Sequence, residues 1–339
     1  MKDRNSIIID NLRLVDISTC VIKYDYYLEC IINKSLSFDN KIFFMSALLN
    51  NKILLDFNNE IWIWNKDEYT IIKDRCTYHG LVFAIISRDE IIVGTKEKFN
   101  MQIWNITTNK PGVIFKGHTS IITQVMYKNN KIITTSIDST IKVWNIEGEL
   151  LKSLEEDDSM LKCLCYFQNK FLCRSNDDII RVWDLDTYKC DNLTGHRSKI
   201  RNLVTIGDKF LSTAYDGTMR IWDEKGCSLS IPVDKIKEKG VIVLSKDFVA
   251  VNINDKDLEI YNLNLEKWWE TLLNFGTKNI VLSNGNLMGI YNGKINTFDL
   301  ETDEYLSEDI ENKDTINFIS LLSNGQIVYC SDQKLYFLS

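Results

Sequence analysis

Residues 216–226 read DGTMRIWDEKG, residues 138–148 read DSTIKVWNIEG, and between them residues 177–187 read DDIIRVWDLDT. The tryptophans of the three stretches, Trp144, Trp183 and Trp222, stand 39 residues apart. Each stretch joins a β-branched, aromatic-tipped run to turn residues on both sides, which is the pattern of a short strand between two tight turns.

The spacing extends outward in both directions. An aromatic residue closes a comparable run at Trp64, Trp104, Trp144, Trp183, Trp222, Tyr261, Phe298 and Phe337, with gaps of 40, 40, 39, 39, 39, 37 and 39 residues. The next residue is Asn or Asp in seven of the eight, and Phe337, followed by Leu338, is the exception. A period near 40 ending in Trp-Asp predicts a ring of four-stranded antiparallel blades, an all-β propeller. Between these aromatic anchors the chain is dominated by apolar runs of four to eight residues, such as KILLDF, KIITTS, KFLSTA and QIVYCS, and it shows no helical stripe.

A second marker runs upstream of the anchors. Gly117-His118 and Gly195-His196 each lie 26 residues before a tryptophan, and the reversed pair His79-Gly80 lies in the matching place before Trp104. All three histidines of the chain therefore occupy one repeat position. Six residues before their anchors stand Asp138, Asp177, Asp216 and Asp255. On these residues the chain resembles the WD-repeat (Trp-Asp repeat) β-propeller family over nearly its whole length, most strongly in 117–224.

The resemblance implies a buried hydrogen-bonded tetrad in each well-formed blade: His118, Thr134, Asp138 and Trp144 in one, His196, Ser212, Asp216 and Trp222 in another. Such a network rigidifies a low-dielectric core only when every member is satisfied. The Trp183 blade has Asp157 and Cys173 at the His and Ser positions, so its tetrad is expected to be broken. The Tyr261, Phe298 and Phe337 blades lack the His and are expected to be looser.

Eight anchors predict eight blades; seven is the alternative. The chain reaches only Ser339 after the last anchor, which leaves an edge strand to be covered. YLECIIN at 27–33 is the candidate N-terminal strand to close the ring. The division expected is an N-terminal segment at 1–26, as extra strands or an arm, and a propeller at 27–339.

Composition bounds the rest. The net charge of −7 argues against bulk attraction to nucleic acid or anionic membranes. No apolar run approaches the roughly 18 residues of a membrane span, and the start, MKDRNSIIIDNLRLVD, lacks the pattern of a secretory signal. Nine cysteines without a CxxC pair suit reduced thiols in a cytoplasmic protein, the nucleus being the alternative location.

The histidines are read as tetrad members, so neither a catalytic site, a metal site nor a cofactor is expected, and the chain is read as a non-enzyme. The resemblance implies a platform that binds proteins through the loops of its narrower face, as one monomeric ring in a hetero-complex. It places face residues at Ile121, Thr123 and Ile137, at Lys199, Arg201 and Tyr215, at Leu81 and Phe83, and at Met160, Lys162 and Asn176. Tyr215 between Lys199 and Arg201 is the leading candidate, because aromatic and Arg side chains dominate interface energetics. Trp268-Trp269 is a candidate rim contact, since adjacent strand residues point to opposite faces. Two other functions fit the same residues: a phosphate- or RNA-contacting adaptor using Arg197, Lys199 and Arg201, and a substrate-recognition subunit of a ubiquitin ligase.

Overall fold

The structure is a computed structural model. It describes residues 32–37, 44–57, 60–65, 68–72, 82–94, 99–155, 162–174, 177–223, 226–232, 241–243, 248–252, 257–262, 264, 281–283, 286–291, 294–299, 305–309, 316–322, 326–331 and 334–338. The segment 1–26, Leu81, Met160, Asn176 and the Trp268-Trp269 pair lie outside the described residues.

Among the described residues, eight antiparallel sheets follow one another along the chain. Each anchor falls in the third strand of its own sheet, for instance Trp64 in Ile61–Asn65, Trp144 in Thr140–Asn145, Tyr261 in Leu258–Asn262 and Phe337 in Lys334–Leu338. Seven sheets have four described strands. The Tyr261 sheet has three, Val241–Val243, Phe248–Asn252 and Leu258–Asn262. Among the described residues no helix is long and apolar enough to cross a membrane.

Both kinds of turn explain the Asn and Asp content. The hairpin between Ile122–Lys128 and Lys131–Ser136 turns on Asn129 and Asn130, both at positive φ (48° and 58°). That is the left-handed pair a two-residue β-hairpin needs, and Gln168 and Asn169 repeat it in the next blade. In the Trp104 and Trp183 blades the Asn or Asp after the anchor organises the turn to the outer strand. Asn105 Oδ1 accepts hydrogen bonds from the N–H groups of Thr107 and Thr108, and Asp184 Oδ1 accepts them from Asp186 and Thr187. A side chain bonded to backbone two and three residues on stands in for a backbone turn.

The apolar core lies between blades rather than within them. Phe115, Met101 and Ile103 of the Trp104 blade pack with Trp144, Val125 and Ile132 of the next. The same arrangement joins the Trp144 and Trp183 blades, the Trp183 and Trp222 blades, and the Trp222 and Tyr261 blades. Blades are also tied by lysines at the start of the second strand. Lys131 Nζ bonds the Leu185 carbonyl and lies 3.1 Å from Asp186 Oδ1, while Lys52 Nζ lies 2.9 Å from Thr107 Oγ1.

Ring closure joins the two ends of the chain. Ile32–Ser37 pairs with Lys334–Leu338, setting Leu36 opposite Leu335 and Ser37 opposite Lys334. The Phe337 and Trp64 blades then share a core of Met45, Ile53, Leu55 and Trp64 with Leu322, Val328, Cys330 and Leu335. The closing strand takes in 32–33 of the expected run at 27–33 and continues to Ser37, residues 27–31 lying outside the described residues. An outer strand lies at the rim and needs little apolarity. Cys190–Leu193, the outer strand of the Trp183 blade, is exposed at three of its four residues.

Candidate protein-binding face

Among the described residues, two blades carry a complete polar tetrad beneath this face. In the Trp144 blade, Trp144 Nε1 donates to Thr134 Oγ1 (2.9 Å), Thr134 Oγ1 lies 2.7 Å from His118 Nε2, and His118 Nδ1 lies 2.8 Å from Asp138 Oδ2. The Trp222 blade repeats this with Trp222, Ser212, His196 and Asp216 at 2.7, 2.7 and 2.9 Å. The order of donors fixes the tautomer. An ionised carboxylate only accepts, so Nδ1 carries the proton, and Nε2 accepts from the Thr or Ser hydroxyl, which in turn accepts from the indole.

Electrostatics agree with that assignment. Burial pushes the pKa of His118 and His196 down, against the raising effect of Asp138 and Asp216. Both imidazoles are therefore neutral at pH 7. Burial would raise the pKa of Asp138, but hydrogen bonds from the Thr140 hydroxyl, the Thr119 N–H and His118 outweigh it and hold the carboxyl at about 2. Asp216 is held at about 2 by the Arg197 N–H, Thr218 and His196 against the same burial effect. Each carboxylate thus clamps the loop before the inner strand to the turn before the third strand. A glycine precedes each histidine for a steric reason: at Gly117 (φ +155°) a Cβ would stand 3.1 Å from Trp144 Cη2.

The Trp183 blade solves the same problem differently. Cys173 replaces the hydroxyl, and Trp183 Nε1 is buried with no hydrogen-bond partner among the described residues. Its ring stacks on Phe171, 8° from parallel. Asp177 instead takes a bidentate hydrogen bond from Arg181 (3.1 and 2.8 Å). In the Trp104 blade Val93 takes the place opposite Gln102 that Thr134 takes opposite Lys142, and the Trp104 indole donates to Asn109 Oδ1 at 3.1 Å. The Tyr261 hydroxyl donates to Glu259 Oε2 at 2.6 Å.

Above the tetrads, the turns they clamp present the face. The Ile137 N–H bonds the Ile121 carbonyl and the Tyr215 N–H bonds the Lys199 carbonyl, both at 2.9 Å. Tyr215 is 59% exposed and Ile137 41% exposed. Lys199 is exposed, and the half-buried Arg201 lies over the Tyr215 ring with its guanidinium carbon 4.0 Å from the centroid. The structure thus brings Lys199, Arg201 and Tyr215 together at one corner. Ile121 and Thr123 are half-buried, and Thr123 Oγ1 is bonded to Thr135 Oγ1 at 2.8 Å.

Phe83 does not join this face. It is 6% exposed and packs between the Trp64 and Trp104 blades with Leu54, Ile63 and Val93. Register is the cause: Phe83 pairs with Val93 as Val125 pairs with Thr134, a core position two residues past the face. The Lys162 backbone begins the inner strand Lys162–Phe167. Among the described residues there is no group of three or more His, Cys, Asp and Glu side chains placed to hold a metal ion. Arg181 as the partner of Asp177 escaped sequence reasoning; the signal was an Arg at the position where the Trp222 blade also has one, beside an Asp without its His.

The family "WD domain, G-beta repeat" matches residues 109–145 and 188–223. The chain is a β-propeller that carries WD repeats. A stretch of 67 residues is 37% identical to Periodic tryptophan protein 2 homolog of Caenorhabditis elegans, covering 20% of this chain and 7% of that protein. A stretch of 90 residues is 24% identical to Periodic tryptophan protein 2 of Arabidopsis thaliana, covering 26% of this chain and 10% of that one. The aligned stretches thus span a tenth or less of the length of these curated relatives. Among solved structures, the computationally designed Ika8 protein superposes with a TM-score of 0.71 at 19% identity, covering 89% of this chain and 98% of that one. That likeness concerns the fold alone.

Proposed function

We propose that the chain is a non-enzymatic scaffold of the cytoplasm that holds protein partners in a larger complex through the face over the Trp144 and Trp222 blades. The observation that carries this reading is Tyr215, an exposed aromatic braced by a stacked arginine on a turn whose backbone is tied to the neighbouring loop. A rigid aromatic loses little conformational freedom on binding, and Tyr and Arg are the residue types that carry interface energy. WD repeats under that face support the same reading. His118 and His196 serve the fold, each ring nitrogen being committed to a tetrad partner.

The test is the native size of the protein in its own cell. A tagged copy expressed at natural level is run on a sizing column in low-detergent lysate. Elution well above the mass of the free chain, collapsing to it in high salt or mild denaturant, is the expected result. Elution of all the protein as free monomer would remove the scaffold reading.

A further inference from the structure

The outer strand of the Trp144 blade, Leu150–Glu155, has a hydrogen-bonded neighbour on one side only, Thr140–Asn145. Leu150, Leu151, Lys152 and Ser153 are exposed in succession, and Glu155 is exposed beyond the buried Leu154. An extended stretch with a free edge is a form in which peptide-recognising clefts take up a chain. In sequence, Leu154 and then the acidic run Glu155, Glu156, Asp157 and Asp158 follow Ser153. That is the substrate pattern of acid-directed protein kinases, whose basic clefts read carboxylates on the C-terminal side of the acceptor hydroxyl.

A cation already addresses this serine. Lys142 Nζ donates to Ser153 Oγ at 2.9 Å, across the strand pair that sets Lys142 opposite Ser153. Lys142 is only 9% exposed, and among the described residues its ammonium has no carboxylate partner. A buried ammonium met only by a neutral hydroxyl is under-compensated, since burying a charge is costly unless an opposite charge faces it. Other blades fill the same place differently. Gln102 is uncharged and bonds the Gly112 carbonyl, and Arg181 spends its charge on Asp177. Arg220 stands opposite the exposed Ser230, but Ile231, Pro232 and Val233 follow that serine. Of these four blades, only the Trp144 blade combines the cation, the exposed hydroxyl and an acidic sequel.

We propose that Ser153 is a phosphorylation site for an acid-directed protein kinase, and that Lys142 receives the phosphate. Ser153 Oγ attacks the γ-phosphorus of a nucleoside triphosphate bound by the kinase, and its proton passes to the kinase's base. The new Oγ–P bond forms as the bond to the bridging oxygen breaks, its electron pair leaving with the nucleoside diphosphate. The product carries a charge of about −1.5 to −2 at pH 7, beside an ammonium already bonded to the same oxygen. Charge-assisted bonds from Lys142 then replace a bond to a neutral hydroxyl and tie the third strand more firmly to the outer one. Glu155, exposed and two residues on, opposes the added charge only weakly through water. The site lies in a different blade from Lys199, Arg201 and Tyr215 and stands independently of the scaffold reading.

The experiment treats the folded full chain with ATP, magnesium and recombinant casein kinase II, an acid-directed kinase; protein kinase A, a base-directed one, is the control. Tandem mass spectrometry should find phosphate on Ser153 after the first kinase and not the second, and none on Ser230. Phosphorus NMR then follows the pH titration of the phosphate on Ser153, whose signal is assigned by its absence in Ser153→Ala. Its second pKa should lie about one unit below the usual value of about 6, because Lys142 favours the dianion. Lys142→Gln, which installs the residue type of the Trp104 blade, should return it to that value, and Lys142→Arg should keep it low. Phosphorylated wild type should also melt at a higher temperature than the unmodified chain, a gain that Lys142→Gln loses. The proposal is overturned if the folded chain takes no phosphate at Ser153, or if the control kinase modifies Ser153 equally well. It is likewise overturned if Lys142→Gln leaves the titration unchanged, or if the phosphorylated ring melts below the unmodified one.

Discussion

The indole of Trp144 donates to the Thr134 hydroxyl at 2.9 Å, and one repeat later, where Cys173 replaces that hydroxyl, the buried indole of Trp183 has no acceptor among the described residues. The chain therefore contains both the satisfied and the unsatisfied version of one network, in adjacent blades. A buried donor left unpaired costs more than the bond it would have made contributes.

Serine at position 173 should repair the Trp183 blade. Its hydroxyl would accept from Trp183 and donate to the backbone carbonyl of Arg181, the residue paired with position 173 as Lys142 is paired with Thr134. Cys173→Ser is expected to stabilise the ring by about 1 kcal/mol, and Thr134→Val to destabilise it by about 1–3 kcal/mol. Urea denaturation followed by tryptophan fluorescence measures both. A destabilising serine would show that the cysteine packs better than the network bonds.

Gly117→Ala tests the close approach of backbone to indole. The new Cβ would meet Trp144 Cη2 at 3.1 Å on a backbone that L side chains rarely adopt. A loss of about 1–3 kcal/mol is expected, read as a lower melting temperature. Gly207→Ala, where nothing lies within 4 Å, carries only the backbone strain of φ +57° and should cost less.

The tetrads also set a pH dependence. Burial holds the folded pKa of His118 and His196 below the 6.5 of a free imidazole. Below that value the unfolded chain binds protons that the folded one refuses, so stability falls as pH drops from about 6.5 toward the lowered folded values. Asp138 and Asp216 add a second loss, since their folded pKa of about 2 lies under the usual 3.8, and their contribution fades between those values. Stability measured by denaturant should thus be flat just above pH 7 and decline toward acid in two stages. His118→Gln and His196→Gln together should abolish the upper stage; a curve unchanged by that pair would show that the histidines do not set it.

Much of the ring was legible because a propeller writes its period into aromatic residues. All eight anchors, including the weak Tyr261, Phe298 and Phe337, lie in third strands. Trp and Asp could be read because each has one local job, packing between sheets or capping a turn. Of the described closing strand only 32–33 were read, because its remainder, Lys34–Ser37, is a rim stretch with little apolar signal. Phe83 was misassigned because a histidine-based offset presumes constant loop lengths, and register, not spacing, decides which face a strand residue meets. The Arg181–Asp177 pair and the stacking of Arg201 on Tyr215 depend on rotamers chosen by neighbours, which no linear pattern displays.

Ring closure makes a separate prediction. Removal of residues 1–37 would leave Lys334–Leu338 as an unpaired edge beside a partly opened core. Such edges recruit other strands. The truncated protein is expected to melt at lower temperature and to self-associate on a sizing column. A monomer of unchanged melting temperature would show that the N-terminal strand is dispensable.

The most direct test of the functional account is a paired affinity capture from the cell of origin. One bait is the wild-type chain and the other carries Lys199→Ala, Arg201→Ala and Tyr215→Ala, with matched thermal melts. The account predicts a defined set of proteins retained by the wild type and lost by the variant. Identical sets on the two baits would contradict it and place the binding surface elsewhere on the ring.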